Sequence, residues 1–540
     1  MHVSSSPRPE LPQDYYLSNF TRMVNDVVGR YRSLLNDDEL RWIREFDTLP
    51  HSGRCLCVRL LSRKGPVFRT DKLRYPEIDD LAGAITALLD AGMIQPFQPG
   101  SWSQLAPWVT KAEILRYVPA GLGKLRKPEL VAQLELQAHP LPELALIVLS
   151  QTELLETLLL LYFGNARQDL AQFVVSDLGI QVFENYSLDP SLNAFEQRSQ
   201  LEAARQLSQL DKRRQLASEQ KDRLAILALA DELPLPLPWP RWERRRQRLL
   251  LEIAREYERD KQPQQALALY QHSQLAPSRE RQARLHLNAD APHRARPLVR
   301  AMLDQPENEQ ELTVARRLGK KLNRIAPFEY PQLAPPQIQQ CTLTLNGKDA
   351  PIELLVAEHY QAQGWQAHYC ENALLNALFG LAFWPAIFAP VQGAFLNPYQ
   401  LGPTDMFSPQ FTQTRRDAID RILSRWQPAQ LLDTFDQKQG IANYWVNWDG
   451  ISRPLIESAL SSLSHAQLTA CFRRLLFDLK ANRSGHPDLF LTRNNRCLWL
   501  EVKGPGDSLR DNQIRWLTFF DDHDIQAAVC YVTIDASSDD

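Results

Sequence analysis

The sequence predicts a multidomain protein whose N-terminal two-thirds is mostly α-helical and whose C-terminal part is an α/β domain with a mixed sheet flanked by helices. Three observations lead there. Apolar residues recur at helical spacing over most of the chain before residue 330. Two short runs near the end, Asp488–Leu491 and Cys497–Lys503, read as strands followed by a helix and a further strand. A length of 540 residues, at roughly 150 per domain, gives three or four domains. Hydrophobic residues at 44% and charged residues at 23% exclude wholesale disorder. The longest apolar stretch, Ala377–Val391, is shorter than the ~20 residues of a membrane span and is broken by Pro385 and Pro390. The first thirty residues are polar and contain acids, so no signal peptide is expected. Seven scattered cysteines suggest no disulfide framework and a reducing, cytoplasmic compartment. Cys55-x-Cys57 lacks a second Cys/His pair at zinc-finger spacing and reads as strand packing. The net charge of −3 leaves the question of a nucleic-acid partner to local basic patches.

Taken in order, residues 1–13 are rich in Ser and Pro and expected to fray. From Tyr15 to Leu49 the spacing of Phe20, Val24, Val27, Val28, Tyr31, Leu34 and Leu35 predicts helix, and Asn36-Asp37-Asp38 supplies a turn and N-cap before Glu39–Phe46. Cys55–Leu61 reads as a strand with Val67–Arg69 as its partner. Leu81–Ala91 reads as a helix, Gly92 as its C-cap and Met93-Ile94 as a strand. Residues 1–100 are therefore expected to be helical and winged-helix-like. In residues 101–140, short helices Lys111–Tyr117 and Lys127–Leu134 flank a loop with Gly121 and Gly123. Paired short helices around a Gly-containing basic loop resemble the SAP module, a small DNA-binding motif. Lys124, Arg126 and Lys127 are the candidate DNA contacts, on a loop whose backbone N–H groups can approach phosphate. It is not a P-loop, because Leu125 follows Gly123-Lys124.

Leu141–Arg324 reads as almost wholly helical, with Leu154–Phe163 buried and further helices at Ala203–Leu216, Lys221–Leu229, Arg241–Tyr257 and Pro263–Gln271. Alternating prolines force Asp231–Pro240 to be extended. Ala266–Tyr270 with Glu280–Leu287 looks like one tetratricopeptide-like hairpin, so residues 141–330 are assigned to a tetratricopeptide-like domain without a fixed repeat period. Trp242–Arg246 reads as an exposed basic helix face beside Leu249–Leu251. Pro331–Pro336 is a linker. The last domain, 331–540, begins with a strand at Thr342–Leu345 and helices at Ile352–Gln361 and Cys370–Phe383. Pro385–Pro409, with five prolines, is expected to be irregular, and long loops in compact domains are usually functional.

The chemistry concentrates in the last sixty residues. Gly485-His486-Pro487-Asp488 is a turn feeding a strand, Asn494-Asn495 a tight turn, Cys497–Lys503 a second strand ended by Gly504-Pro505-Gly506, Leu509–Phe520 a helix and Gln526–Thr533 a strand. Alternation along a strand puts Glu501 and Lys503 on one face with Val502 turned to the core, and the hairpin brings Asp488 beside Glu501. Two carboxylates and an ammonium then surround one point. Oxygen ligands suit Mg²⁺ or Mn²⁺. Such an ion polarises a phosphodiester and lowers the pKa of water, while the lysine offsets charge in the transition state. His486, at a turn, reads as structural rather than as a general base.

The stretch Gly485–Val532 resembles the PD-(D/E)xK nuclease superfamily in its virus-type replication-repair (VRR-NUC) branch, with Asp488, Glu501, Lys503 and Gln513 on the motif positions. More of the chain is similar to the Fanconi-associated nuclease family. The matching stretches are Tyr162–Asn165 with Gln168-Asp169-Leu170 and Phe173-Val174; Tyr369–Asn372; and Phe383-Trp384-Pro385 running to Gly393-Ala394-Phe395 and Pro398-Tyr399-Gln400. The resemblance implies a catalytic set of Asp488, Glu501, Lys503 and Gln513. It implies a metal held by Glu371, Asp488, Glu501 and the carbonyl of Val502, with Glu371 early in the helix Cys370–Phe383. It further implies a structure-specific endonuclease and 5′-to-3′ exonuclease acting on flapped and branched DNA, in repair that includes interstrand cross-links; the alternatives are a less selective nuclease, a junction resolvase or a scaffold with an inactive site. Residues 1–50 contain no cysteine, so the ubiquitin-binding zinc finger of eukaryotic relatives is not expected. The resemblance is to a compact, bacterial-type member, cytoplasmic and nucleoid-associated, with protein partners unspecified.

Overall fold

A computed structural model describes residues 12–63, 65–119, 121–165, 181–332, 337–346 and 350–535. Most of residues 1–13, residues 333–336 of the expected linker, and the family-like residues Gln168, Asp169, Leu170, Phe173 and Val174 lie outside the described residues. The chain divides into two compact units, Met1–Ile180 with Phe195–Arg205 and Gln181–Ala194 with Gln206–Asp540.

The first unit opens with helices Tyr15–Tyr31, Asp37–Thr48 and His51–Leu61. Phe20, Met23, Val24 and Val27 are buried along one stripe of the first. Asn36 caps the second through a reciprocal pair. Its Oδ1 accepts the Glu39 N–H at 2.8 Å, and Glu39 Oε2 accepts the Asn36 N–H at 2.8 Å. The third helix corrects the strand expected at Cys55–Leu61. Cys55 through Val58, with Leu60 and Leu61, are all buried. A short run buried on every side has no period that separates helix from strand. Strand β1 (Val67–Arg69) therefore pairs elsewhere. With β2 (Ile94–Pro96) and β3 (Leu146–Leu149) it forms an antiparallel sheet with β3 in the middle. Strand β3 departs from the almost wholly helical reading of Leu141–Arg324, because Leu-Ile-Val-Leu is again too short and uniform to show a period.

Helix Leu81–Asp90 leads through Gly92, at φ +66°, into β2 as the sequence predicts. The SAP-like helices are Lys111–Ile114 and Lys127–Leu136. Ile114, Leu130 and Leu134 share a core with Trp102, Leu105, Val67 and Leu146.

In the second unit, helices Pro240–Arg259, Pro263–Gln271, Ser278–Asn288, Pro292–Asp304 and Glu309–Ile325 each pack on the next. The pair Pro263–Gln271 and Ser278–Asn288 is the expected helical hairpin. Residues 233–239 carry no helix or strand, and Pro240 takes the first helical position. Trp242–Arg246 is not the exposed face that was expected. Trp242 and Arg246 are buried, and the Arg246 Nε donates to Glu243 Oε2 at 2.8 Å. Charge count alone does not reveal such pairing three residues apart on one helix.

A two-stranded parallel ribbon joins β4 (Val182–Phe183) to β7 (Ile441–Ala442). The main sheet has five strands: β5 (Gln339–Asn346), β6 (Gln366–Tyr369), β8 (Leu489–Arg493), β9 (Arg496–Lys503) and β10 (Ala527–Asp535), in the order β5-β10-β9-β8-β6. β10 is parallel to β5 and β9, whereas β8 is antiparallel to β9 and β6. Val356 and Ala357 of helix Ile352–Ala362 pack with Leu489, Leu491, Leu500 and Val502 on one face. On the other, Phe490 and Trp499 pack with Trp516 and Phe520 of helix Asp511–Asp521, in a core that includes helix Leu374–Ile387.

That last helix departs from the expected Cys370–Phe383. It starts four residues later, because Asn372 is left-handed at φ +50° and Glu371–Ala373 form a turn. It runs past Pro385 to Ile387, so the irregular segment begins at Phe388. Burial of nearly the whole helix outweighs the single backbone hydrogen bond that a proline removes.

Candidate active site

The site grows from one hairpin. Asn494 and Asn495 sit at φ +52° and +57°, a two-residue turn of the kind whose twist matches paired strands. The register pairs Arg493 with Arg496 and Leu489 with Leu500, which sets Asp488 across from Glu501. The two-residue period puts Asp488, Glu501 and Lys503 on the side of Phe490 and Trp499. The turn ahead of Asp488 needs glycine. Gly485 has φ +92°, and a Cβ there would come within 2.7 Å of the Asn512 backbone. This close approach brings the Asp488 strand against the helix that carries Gln513.

The hydrogen bonds then fix each group. Asp488 Oδ2 accepts the Val502 N–H at 2.8 Å. Lys503 Nζ donates to Glu501 Oε1 at 2.7 Å, and Gln513 Nε2 donates to the same oxygen. Gln513 Oε1 is held in turn by the Arg510 N–H at 2.9 Å. Asp488, Glu501, Lys503 and Gln513 are all buried, Glu501 to 1% exposure. Burial pushes the Asp488 carboxyl up to about 6, with the charge of Glu371 adding to the rise and the Val502 N–H and Lys503 opposing it. Burial and the neighbouring Asp488 push Glu501 up to about 7, against the pull of Lys503.

Glu371 lies in the turn before helix Leu374–Ile387 rather than inside a helix, because the helix starts late. Its Oε2 accepts from the Tyr369 hydroxyl at 2.9 Å and its Oε1 from Asn372 Nδ2 at 3.1 Å. The turn is pinned to the hairpin. Cys370 N–H donates to the Asp488 carbonyl at 2.8 Å, and Asn372 Oδ1 accepts the N–H groups of Gly485 and His486 at 2.8 and 3.1 Å. Val502 turns its side chain to the opposite core. His486 is buried, stacked edge-on against Trp516 at 4.6 Å and bonded to the Asn482 carbonyl at 3.0 Å. Burial pushes its pKa down to about 3, which keeps it neutral and structural. Sequence reasoning missed Tyr369 and Asn372 as supports of Glu371, and Glu353, whose charge also raises Asp488. Tyr369 and Asn372 stand directly beside Glu371, whereas Glu353 is an ordinary acid in the first turn of a helix and carried no signal.

The residues fit a divalent cation. Glu501 Oε2 is buried without a hydrogen-bond partner, while Oε1 takes two donors. Burial raises the pKa of both carboxylates and the Asp488 charge raises Glu501 further, and a cation held by them would relieve that cost. Among the described residues, no three His, Cys, Asp or Glu side chains are gathered closely enough to hold a metal ion by themselves. The pair Asp488 and Glu501 is the assembled part, and Glu371 is engaged with Tyr369 and Asn372.

The basic loop belongs to the first unit. Gly121, at φ +100°, leads into a 3₁₀ turn, Leu122–Lys124, and Lys111 Nζ donates to the Gly123 carbonyl at 2.8 Å. Lys124 and Arg126 are exposed and Lys127 is half-buried at the start of the following helix. Lys111, which sequence reasoning did not assign, thus adds a further cation to the same loop.

Two family models match the chain: FAN1, HTH domain, over residues 14–95, and VRR-NUC domain, over residues 425–534. A Fanconi-associated nuclease 1 homolog of Pseudomonas aeruginosa is 34% identical over 97% of both chains. A homolog of that name from Oryza sativa is 26% identical over 96% of this chain, which spans 62% of that protein's length. The crystal structure of paFAN1 bound to 2-nucleotide 5′ flap DNA with a gap superposes with a TM-score of 0.81 at 33% identity, covering 98% of this chain and all of that one. With an identity of 34% across nearly the whole length, and a buried Asp488/Glu501/Lys503 cluster inside the VRR-NUC match, the chain belongs to the Fanconi-associated nuclease family.

Proposed function

We propose that this chain hydrolyses DNA phosphodiester bonds at the Asp488/Glu501/Lys503 site, and that it selects flapped or branched DNA in repair, interstrand cross-links included. The observation that carries the reading is the hairpin itself. It buries two carboxylates and a lysine around one point and leaves Glu501 Oε2 unpaired. The preference for 5′ flaps rests on kinship with a protein whose structure holds such DNA.

Asp488 and Glu501, with Glu371 and the Val502 carbonyl, would hold Mg²⁺ or Mn²⁺. Bound there, a divalent ion polarises the phosphodiester and acidifies water. The chain's own groups do the rest. The Val502 N–H aims Asp488, and Gln513 and Lys503 hold Glu501 by one oxygen, which would leave the other available to a cation. The Lys503 ammonium would stabilise charge developing on phosphate. Residues 1–140 would grip the duplex through Lys124, Arg126 and Lys127, and residues 331–540 would cut. No described helix is long and apolar enough to cross a membrane, and the proposed place of action is the nucleoid.

The test is cleavage of flapped, forked and plain duplex DNA by the full chain with Mg²⁺, Mn²⁺ or chelator. Metal-dependent cutting concentrated at the 5′ flap supports the reading. Equal cutting of all three substrates removes the flap preference, and no cutting with either metal removes the nuclease assignment.

A further inference from the structure

Tyr369 and Phe477 are the strongly exposed aromatic side chains among the described residues, and Tyr369 is 51% exposed. Tyr369 ends β6, one of the two edge strands of the five-stranded sheet, and pairs with Leu489, the residue after Asp488. Its hydroxyl donates to Glu371 Oε2 at 2.9 Å. Its neighbour Cys370 is bonded to the Asp488 carbonyl at 2.8 Å. An aromatic ring is thus fixed at one end to a carboxylate of the candidate site while its body faces solvent. Exposing so much ring area costs free energy unless a partner covers it. Beside a phosphodiesterase site, the partner with a matching flat apolar face is a nucleobase, and stacking tolerates any base because each has a π-face. Anchoring of the hydroxyl gives the ring one orientation before DNA arrives, so little side-chain freedom remains to be lost on binding.

We propose that Tyr369 is a substrate-contact residue that stacks an unpaired nucleobase next to the scissile phosphate, while its hydroxyl positions Glu371. The proposal rests on the nuclease reading and adds to it a reason for favouring unpaired nucleotides. A base inside an intact duplex already stacks on its neighbours and cannot offer its face. Free single-stranded nucleotides at a flap can.

The ring and the hydroxyl are separable. Tyr369→Phe keeps the ring and removes the bond to Glu371. Tyr369→Leu removes both. The probe is 5′-flap DNA carrying 2-aminopurine, walked one nucleotide at a time across the flap junction, with Ca²⁺ in place of a cleavage-supporting metal. Stacking quenches this base. The full-length protein is expected to quench one junction position, Tyr369→Phe to retain the quench, and Tyr369→Leu to lose it with affinity weakened on the order of 5- to 150-fold. In cleavage, Tyr369→Phe should lower kcat with KM nearly unchanged, whereas Tyr369→Leu should also raise KM. Quenching and affinity unchanged in Tyr369→Leu would overturn the proposal, as would loss of the quench in Tyr369→Phe, which assigns the contact to the hydroxyl. Should Tyr369→Leu fail to fold, the Phe variant still decides by that second criterion. Failure of the nuclease reading shows separately, as a wild-type protein that quenches but cuts nothing with Mg²⁺ or Mn²⁺.

Discussion

The nuclease hairpin and the SAP-like loop both face DNA phosphate in the proposed function, yet they are built on opposite physical plans. The hairpin buries its charges, like beside like, and burial pushes Asp488 and Glu501 up to about 6 and about 7. The loop leaves Lys124 and Arg126 in water on a turn opened by Gly121. Chemistry on phosphate needs fixed groups in a poorly solvated place, where each is strongly coupled to the next. Holding a duplex needs mobile, solvated cations that release counterions, each worth little alone. Substitutions should therefore be severe and local in the hairpin, mild and additive in the loop.

The largest effect is expected at the carboxylates. Asp488→Ala or Glu501→Gln should lower cleavage on the order of a thousandfold or more, with flap-DNA affinity nearly intact. Single-turnover cleavage and a binding titration on the same preparations check this, and near-normal cutting by Asp488→Ala would erase the contrast at its root. Lys503→Ala comes next. Its loss removes a donor from Glu501 and, in the proposed function, the charge that offsets phosphate, so cleavage should drop steeply while metal still binds. Lys503→Arg should rescue poorly, because a planar fork does not replace a compact ammonium. Calorimetric loss of metal binding in Lys503→Ala would make the lysine a scaffold of the site.

A change of pH should act on the hairpin alone. Both carboxyls have folded-state pKa values raised above their ordinary range. As pH falls from about 8 to about 6 they take up protons, which compete with the cation. The Mg²⁺ needed for half-maximal cleavage should rise over that interval, and excess Mg²⁺ should restore much of the rate. The sign for stability is opposite. The metal-free fold binds these protons more tightly than the unfolded chain, so the pair's contribution to stability grows as pH falls through 7 towards the ordinary carboxylate range. Affinity for DNA through the loop should not follow this profile, and parallel titrations of binding and cleavage would show it.

The smallest effect is expected at the loop. The triple change Lys124→Ala, Arg126→Ala, Lys127→Ala should lower the slope of log affinity against log salt by at most about 2.7 and weaken all sequences alike. Cleavage should recover at high enzyme concentration because the hairpin is untouched. An unchanged slope would make the loop a solvated face only, and Lys111, bonded to the Gly123 carbonyl, the next residue to test.

By itself the sequence determined the hairpin and which charged groups it brings together. Asn494-Asn495 demands a tight turn, the two-residue period puts Glu501 and Lys503 together, and the register brings Asp488 to Glu501, all within sixteen residues of chain. Local periodicity likewise determined the helices from Pro263 to Asn288 and the N-cap at Asn36. What only the tertiary structure decided lies where burial is uniform or the partner is distant. Cys55–Leu61 is helix, and Leu146–Leu149 is the central strand of a sheet, because short apolar runs take their form from what covers them. Glu371 reaches the site from over a hundred residues upstream, held by Asn372 on Gly485 and Cys370 on Asp488, and Tyr369 is set opposite Leu489 by β6 pairing with β8. No local pattern encodes those meetings, because they are contacts between segments whose separation in sequence carries no information about their distance in space.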